Sequence, residues 1–313
     1  FVLSGDIKTG WCAVLQMEKR CDKVNWISKG RKNGMEKEKI IRQMAQRLLA
    51  GAQPFPFGIC RFEQVQPCLP CRAMQRIPQG AQSVLVCLFP YYTGAHCERN
   101  ISRYAMVTDY HQIAGEYLER MCRALRERFP GYQFEHFTDN SPIREVTAAF
   151  LAGLGRLGKN GLLLHPQYGS YIFIGEIVTD LDLQADQPLV PPSCSNCGKC
   201  VRACPQGALQ EDGSVCLERC RSHITQKKGE LSDWERQQIR QGGLVWGCDI
   251  CNDVCPCNRQ PQLTPVPEFL QSAVAVMDEQ NAQQLLKTRA YNYRGRNTIL
   301  RNIKIVQEEK DEQ

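Results

Sequence analysis

The chain has 313 residues, 42% hydrophobic and 23% charged, with a formal charge of +6. This composition suits a globular protein long enough for two domains, and no run approaches the length of a membrane span, so no membrane partner is expected. Residues 1–34 hold seven Lys/Arg against three Asp/Glu, so most of the positive charge sits there and global charge gives no argument for nucleic acid.

In chain order, residues 1–34 begin with Phe and include Asp6, Lys8 and Glu18, with no uninterrupted apolar segment, so they do not read as a secretory signal. They are expected to be a disordered or non-native extension. Met35 opens an amphipathic helix with Ile40, Met44 and Leu48 on one face. An irregular stretch follows from Pro54 to Pro78, then a buried strand at Val84–Phe89. Ile113, Tyr117, Met121 and Leu125 share one face of a long helix that ends before Gly131. A strand at Gln133–Phe137, a helix at Pro142–Ala152 and strands at Leu162–Leu164 and Tyr171–Val178 complete a first domain, residues 35–190. The acidic, proline-bearing segment Asp182–Pro192 marks its boundary. A cysteine-rich module spans 191–266, and a helical tail, with one helix around Thr298–Val306, spans 267–313.

The module carries most of the chemistry. Cys194-Ser-Asn-Cys197-Gly-Lys-Cys200-Val-Arg-Ala-Cys204-Pro205 has the C-x2-C-x2-C-x3-C-P spacing of bacterial ferredoxins, in which the fourth cysteine ligates the other cluster. Cys248-Asp-Ile-Cys251-Asn-Asp-Val-Cys255-Pro256 is the same pattern less one cysteine, which Cys220 or its rival Cys216 replaces. Two 4Fe–4S clusters are therefore expected, one on Cys194, Cys197, Cys200 and Cys255, the other on Cys204, Cys248, Cys251 and the replacement. Zinc accounts for paired C-x2-C motifs but not for this repeated run. Without a signal, cysteines so spaced suggest metal in a reducing cytoplasm. Cys257 reads as a bystander.

The segments Phe137-Thr-Asp139-Asn-Ser-Pro142-Ile-Arg-Glu145, Gly153-Leu-Gly-Arg-Leu-Gly-Lys159-Asn160 and Tyr168-Gly-Ser170-Tyr-Ile-Phe-Ile-Gly175-Glu176 resemble the epoxyqueuosine reductase family. So do both cysteine runs, Cys220-Arg-Ser222-His-Ile-Thr225 and, more loosely, Ser102-Arg-Tyr104 and Asp109-Tyr110-His111. The resemblance implies an oxidoreductase of queuosine biosynthesis that depends on cobalamin and two 4Fe–4S clusters. It implies Cys220, rather than Cys216, as the eighth ligand, because the family places that ligand at the spacing that separates Cys204 from Cys220. It maps the family's proton donor onto Asp139, which also counts among the cofactor-binding residues. It further implies cobalamin bound base-off, near Leu163, Ile174 and Ser222. The chemistry would be reductive removal of an epoxide oxygen: clusters reduce cobalt, cobalt engages the substrate carbon, and a carboxylic acid protonates the departing oxygen. Burial beside an apolar corrin face would raise the pKa of that acid; read without the resemblance, Asp139 is an N-cap or turn residue. The fold class expected is α+β: a cobalamin-binding, α/β sandwich-like domain, a ferredoxin-like double-cluster module and a short helical C-terminus.

Other motifs carry less. Gly153-x-Gly155-x-x-Gly158-Lys159 looks like a phosphate loop, but no strand precedes it and no Ser/Thr follows the lysine; backbone contact with a corrin suits its glycines better. Cys68-Leu-Pro-Cys71 lacks the strand-then-helix setting of a redox pair and reads as two unrelated thiols. His111 and His165 read as surface or helix-packing histidines. Arg289–Lys304 has five Lys/Arg, two Tyr and no acid, a patch that could meet tRNA phosphates and stack on bases or simply be a solvated helix face. The electron donor expected is a flavodoxin or ferredoxin system. Relative to the family, Arg61–Gln79 is short and cysteine-rich, and the chain ends at the start of the family's helical repeats. Two further readings therefore stand beside tRNA reduction: a corrinoid iron–sulfur reductase of a small molecule, as in reductive dehalogenases, and a ferredoxin-like electron carrier without corrinoid.

Overall fold

The computed structural model describes residues 28–308, with side chains from Met35 onward. The elements in order are α1 (Ser28–Leu48), β1 (Phe57–Arg61), β2 (Ser83–Pro90), α2 (Tyr110–Arg128), β3 (Phe134–Thr138) and α3 (Glu145–Leu151). They continue with β4 (Arg156–Leu157), β5 (Leu163–Leu164), β6 (Ile172–Thr179), α4 (Lys199–Ala203), α5 (Arg221–Thr225) and α6 (Asp233–Gly242). The last are α7 (Ile250–Asp253), α8 (Pro267–Ser272), α9 (Glu279–Leu286) and α10 (Arg296–Gln307). No helix among the described residues is long and apolar enough to cross a membrane.

The expected elements are present, with differences at their ends. The first helix begins at Ser28, inside the segment expected to be an extension, while residues 1–27 lie outside the described residues. Its deepest residues are Ile41 and Ala45, continued by Leu49 just past its end, one position on from the expected face; Ile40, Met44 and Leu48 flank them, partly buried. The helix expected from Pro142 starts only at Glu145, because Asp139 and Asn140 take left-handed backbone conformations (φ 51° and 40°) and Ser141 Oγ accepts the Ile143 N–H at 3.1 Å in a turn of its own.

A four-stranded antiparallel sheet in the order β1-β2-β6-β3 organises the first domain. All eight residues of β2 and of β6 are buried, so both faces of the central pair are covered. Alternation sends Leu85, Cys87, Phe89, Phe173 and Ile177 toward α1 and α2, and Val84, Val86, Leu88, Ile174 and Val178 toward α3. The result is a three-layer helix–sheet–helix sandwich. The close approach of α3 to the sheet depends on Gly58: a Cβ there would meet the Ala152 carbonyl oxygen at 2.2 Å. Gly58→Ala is expected to destabilise the fold by about 1–3 kcal/mol, read as a lower urea midpoint with unchanged slope.

The later chain does not hang off this sandwich. Val266 and Phe269 enter the core between the sheet and α1–α2, Phe269 packing edge-on to Phe173, and Thr264 Oγ1 donates to the Pro90 carbonyl at 2.6 Å. Segment 264–272 is thus part of the first sandwich, whereas a boundary near 267 was expected. A third core joins Ile101, Ala105 and Met106 to Ile224, Ile239, Trp246, Tyr291 and Ile299, so the expected tail packs with α5 and α6 as one helical body. Ion pairs seal the junction: Arg99 to Asp249 and Asp253, and Arg103 to Asp253, which also accepts from Tyr171 Oη at 2.8 Å.

Candidate functional site

Helices α4 and α7 pack against each other, each following a cysteine-bearing loop, and this brings the eight expected cysteines into two groups. Cys200 lies within electrostatic range of Cys194 and Cys197, and Cys255 of Cys200. Cys251 lies among Cys248, Cys220 and Cys204. A cavity is lined by Cys194, Cys197, Cys200 and Cys255 together. Backbone N–H groups face the sulfurs: those of Lys199 on Cys197, Ile250 on Cys248 and Cys257 on Cys255, while the Ala208 N–H donates to Cys204 Sγ at 3.2 Å. Such donors favour the thiolate that a metal requires, and they hold Cys197 below the ordinary thiol value, but burial outweighs them at Cys248 and Cys255 and pushes both up to about 11. Four thiols about one cavity are the donor set of a cubane cluster, and the second group offers the same set, although among the described residues no three of these side chains converge closely enough to hold a single metal ion. Cys216 lies near Cys220, but its Sγ donates to Glu218 at 3.6 Å, and Cys257 is exposed.

Asp139 sits at the tip of the turn after β3, where two consecutive non-glycine residues with positive φ store strain. It does not cap α3, whose N-cap is Arg144. Its Oδ2 accepts from Tyr110 Oη at 2.9 Å and from His111 Nε2 at 3.1 Å, and its Oδ1 from the Asn140 N–H at 2.8 Å. Helix α2 presents both partners from its first turn. Asp109 caps that helix by accepting the His111 N–H, and the same Oδ1 takes His111 Nδ1 at 2.7 Å. Tyr110 stacks on Phe173 of β6 with ring centroids 4.1 Å apart.

The electrostatics differ from expectation. Burial alone would raise the Asp139 carboxyl, but the hydrogen bonds from His111, the Asn140 amide and Tyr110 oppose it, and the group is held below the ordinary carboxylate range. Burial alone would lower His111, but Asp109 and Asp139 outweigh it and push it up to about 9. At neutral pH the proton therefore rests on the imidazole, not on a raised carboxylic acid. His111 is not a mere packing residue. His165 is: its Nδ1 faces the Gln167 and Tyr168 N–H groups, and burial lowers it to about 4.

Behind the turn lie two acids without a counter-ion. Glu176 of β6 is fully buried with only the Ser141 hydroxyl near its carboxyl group, and Glu145 Oε1 is likewise sealed and unpartnered. Burial and the nearby Asp139 carboxylate push Glu145 up to about 8, and burial and the Glu145 carboxyl push Glu176 well above its ordinary value. A raised acid holds its proton more tightly folded than unfolded, so its stabilisation is present below pH 4.5 and is lost as pH rises through about 8. Urea midpoints are expected to fall across that window by an amount worth a few kcal/mol, at about 1.4 kcal/mol per pKa unit. Glu145→Gln is expected to flatten the fall.

The residues expected near a corrin fall in two places. Leu163 and Ile174 share an apolar layer with Phe137 and Ile143, which bracket the Asp139 turn. Ser222 lies half-buried in α5, its amide facing Cys220. Around Asp139 both imidazole nitrogens of His111 and the Tyr110 hydroxyl are already engaged. That donor set fits a corrinoid whose metal takes no ligand from these side chains. The glycines of the 153–159 segment pack against the chain itself: a Cβ on Gly155 would meet Leu163 Cγ at 2.8 Å, and one on Gly158 the Asn160 side chain at 2.5 Å. The basic patch is also smaller than expected. Arg289 is buried and donates to the Ser272 carbonyl, Tyr291 is in the core, and Arg301 donates to the carbonyls of Lys227 and Gly229. Arg296, Lys304 and Tyr293 remain exposed.

Residues 72–140 match the family described as "Epoxyqueuosine reductase QueG, DUF1730", and residues 193–258 match the "4Fe-4S double cluster binding domain". Epoxyqueuosine reductase of Lactococcus garvieae is 34% identical over 213 residues, which cover 65% of this chain and 60% of that protein, so the chain spans about three fifths of that relative's length. A crystal structure of epoxyqueuosine reductase with an epoxyqueuosine-modified tRNA stem loop has the same fold, with a TM-score of 0.73, 22% identity and coverage of 88% of this chain and 82% of that one. Epoxyqueuosine reductase of Cyclobacterium marinum is 31% identical over 255 residues, covering 75% of this chain and 79% of that protein, and on that likeness the chain belongs to the epoxyqueuosine reductase family.

Proposed function

We propose that the chain reduces epoxyqueuosine to queuosine in tRNA, using two 4Fe–4S clusters and base-off cobalamin. The observation that carries this is the presence together, in one chain of this family, of a proton-holding Asp139–His111–Tyr110 site and two groups of four thiols. Removing an epoxide oxygen as water, leaving an alkene, consumes two electrons and two protons. When bound, the clusters supply the electrons and the corrinoid a nucleophilic metal centre.

The chain's own residues supply position and a proton. His111 holds the proton at Nε2 against Asp139 Oδ2, and Asp139 passes it to the departing oxygen. Tyr110, fixed on Phe173, keeps the carboxylate aimed. Leu163, Ile174 and Ser222 would hold the corrinoid. Tyr293, Arg296 and Lys304 offer tRNA a ring to stack on and cations for its phosphates. A flavodoxin or ferredoxin system supplies electrons, and thiol ligands of this kind suit a reducing cytoplasm.

The test is incubation of the reconstituted, reduced protein with epoxyqueuosine-containing tRNA, followed by mass spectrometry of the nucleosides. Queuosine is the expected product. Its absence from a preparation with full iron and bound cobalamin would overturn the reading.

A further inference from the structure

The two thiol groups differ in their access to solvent and in the charge around them. In the first, Cys197 is exposed and its cavity opens beside Lys199; in the second, no cysteine is exposed. Four exposed cations surround the first group. Lys199 lies between two of its cysteines, Arg202 donates to the Cys197 carbonyl, and Arg259 follows Cys255 by one short turn. Arg156 precedes Leu157, which bonds to the Cys194 N–H. None of the four is in an ion pair among the described residues, whereas Lys159 nearby is paired with Glu211. Exposed apolar side chains sit beside them: Val190 is 87% exposed, just before Cys194, and Val254 is 36% exposed, next to Cys255. Exposed apolar side chains among unpaired cations suit a transient protein interface, whose usual anatomy is an apolar centre with a polar rim.

We propose that this face, formed by Arg156, Lys199, Arg202 and Arg259 about Val190 and Val254, is the docking surface of an acidic one-electron carrier protein. Unpaired cations attract an acidic partner and steer its encounter, while the apolar centre excludes water at the point of closest approach. One electron leaves the reduced carrier, which is oxidised, and enters the first cluster, which is reduced; no bond forms or breaks. The second group, deeper and facing Ser222, then lies on the inner side of the path. This rests on the proposed reading that the first thiol group holds a cluster, and not on the identity of the substrate.

The experiment uses the iron-reconstituted chain and a chemically reduced acidic flavodoxin as probe, mixed anaerobically in a stopped-flow instrument while cluster absorbance is followed. The second-order rate constant is expected to fall about tenfold or more between low and high salt, and by a similar factor in Lys199→Glu/Arg202→Glu at low salt. Reduction by a small uncharged photoreductant, and the iron content, are expected to be unchanged in that variant. Charge reversal on the distant helix α1, Lys39→Glu/Arg47→Glu, is expected to have no effect on the flavodoxin rate. A salt-independent wild-type rate overturns the proposal even if the variant fails to assemble. So does an equal loss in the α1 variant, or a chain that takes up no iron, which also ends the cluster reading. Fast cluster reduction by flavodoxin without queuosine formation would instead remove only the tRNA substrate.

Discussion

Asp139→Asn lowers turnover by about a hundredfold or more while leaving iron content and cobalamin binding intact. Asparagine tolerates the left-handed backbone at this position and can still accept from Tyr110, so the turn persists and only the proton-transferring oxygen is lost. Single-turnover kinetics on tRNA, with iron analysis of the same sample, checks both halves; full activity in this variant would remove Asp139 from the chemistry. The pH profile separates the roles of the pair. The folded His111 keeps its proton to about pH 9, so wild-type turnover is expected to decline as pH rises through that value. The sign for stability is the same: the imidazolium–carboxylate pair contributes fully below the unfolded histidine pKa, near 6.5, and is lost as pH rises through about 9. His111→Gln is expected to move the high-pH limb, which a merely packing histidine would not.

Cys251→Ser is expected to halve the iron, from about eight atoms per chain to about four, and to abolish turnover. Cys251 lies among the other three thiols of its group, and a serine hydroxyl does not replace a buried thiolate. The remaining cluster, on Cys194, Cys197, Cys200 and Cys255, should survive and be seen by electron-spin resonance of the reduced protein. Cys220→Ser should give the same loss and Cys216→Ser should give none. The opposite result for that pair would exchange their assignments.

The gathering of the cysteines into two groups was legible because it is written in short, fixed spacings. A loop of two residues can aim successive thiols at one centre wherever the chain lies, and only the choice between Cys216 and Cys220 needed a resemblance. The sandwich was legible from its periodicities, since β2, α2 and β6 are long runs whose burial pattern matches their sequence pattern. The partners of Asp139 were not. His111 lies far from it in sequence, and an Asp–Tyr–His triplet opening a helix reads as a cap followed by packing residues until tertiary structure turns both side chains to one carboxylate. The direction of the Asp139 shift followed from that omission: with burial alone in view a raised acid was expected, and two side-chain donors reverse it. The basic C-terminal patch is smaller than its sequence suggested for the complementary reason. Arg289 and Arg301 look solvated in one dimension, yet each spends its donors on carbonyl groups of the folded chain.

The return of segment 264–272 to the first sandwich sets an order for making the protein. Val266 and Phe269 complete the core that β6, α1 and α2 begin, so that core stays open on a ribosome until the whole cysteine-rich module has been synthesised. A nascent chain halted before Thr264 would display the ring of Phe173 and the apolar side of α2 to solvent. Closing the sandwich brings together strands and a helix separated by the module, and that loop closure is entropically easier once the module has become compact. Completion of the first domain is thereby tied to compaction of the module that lies between its parts.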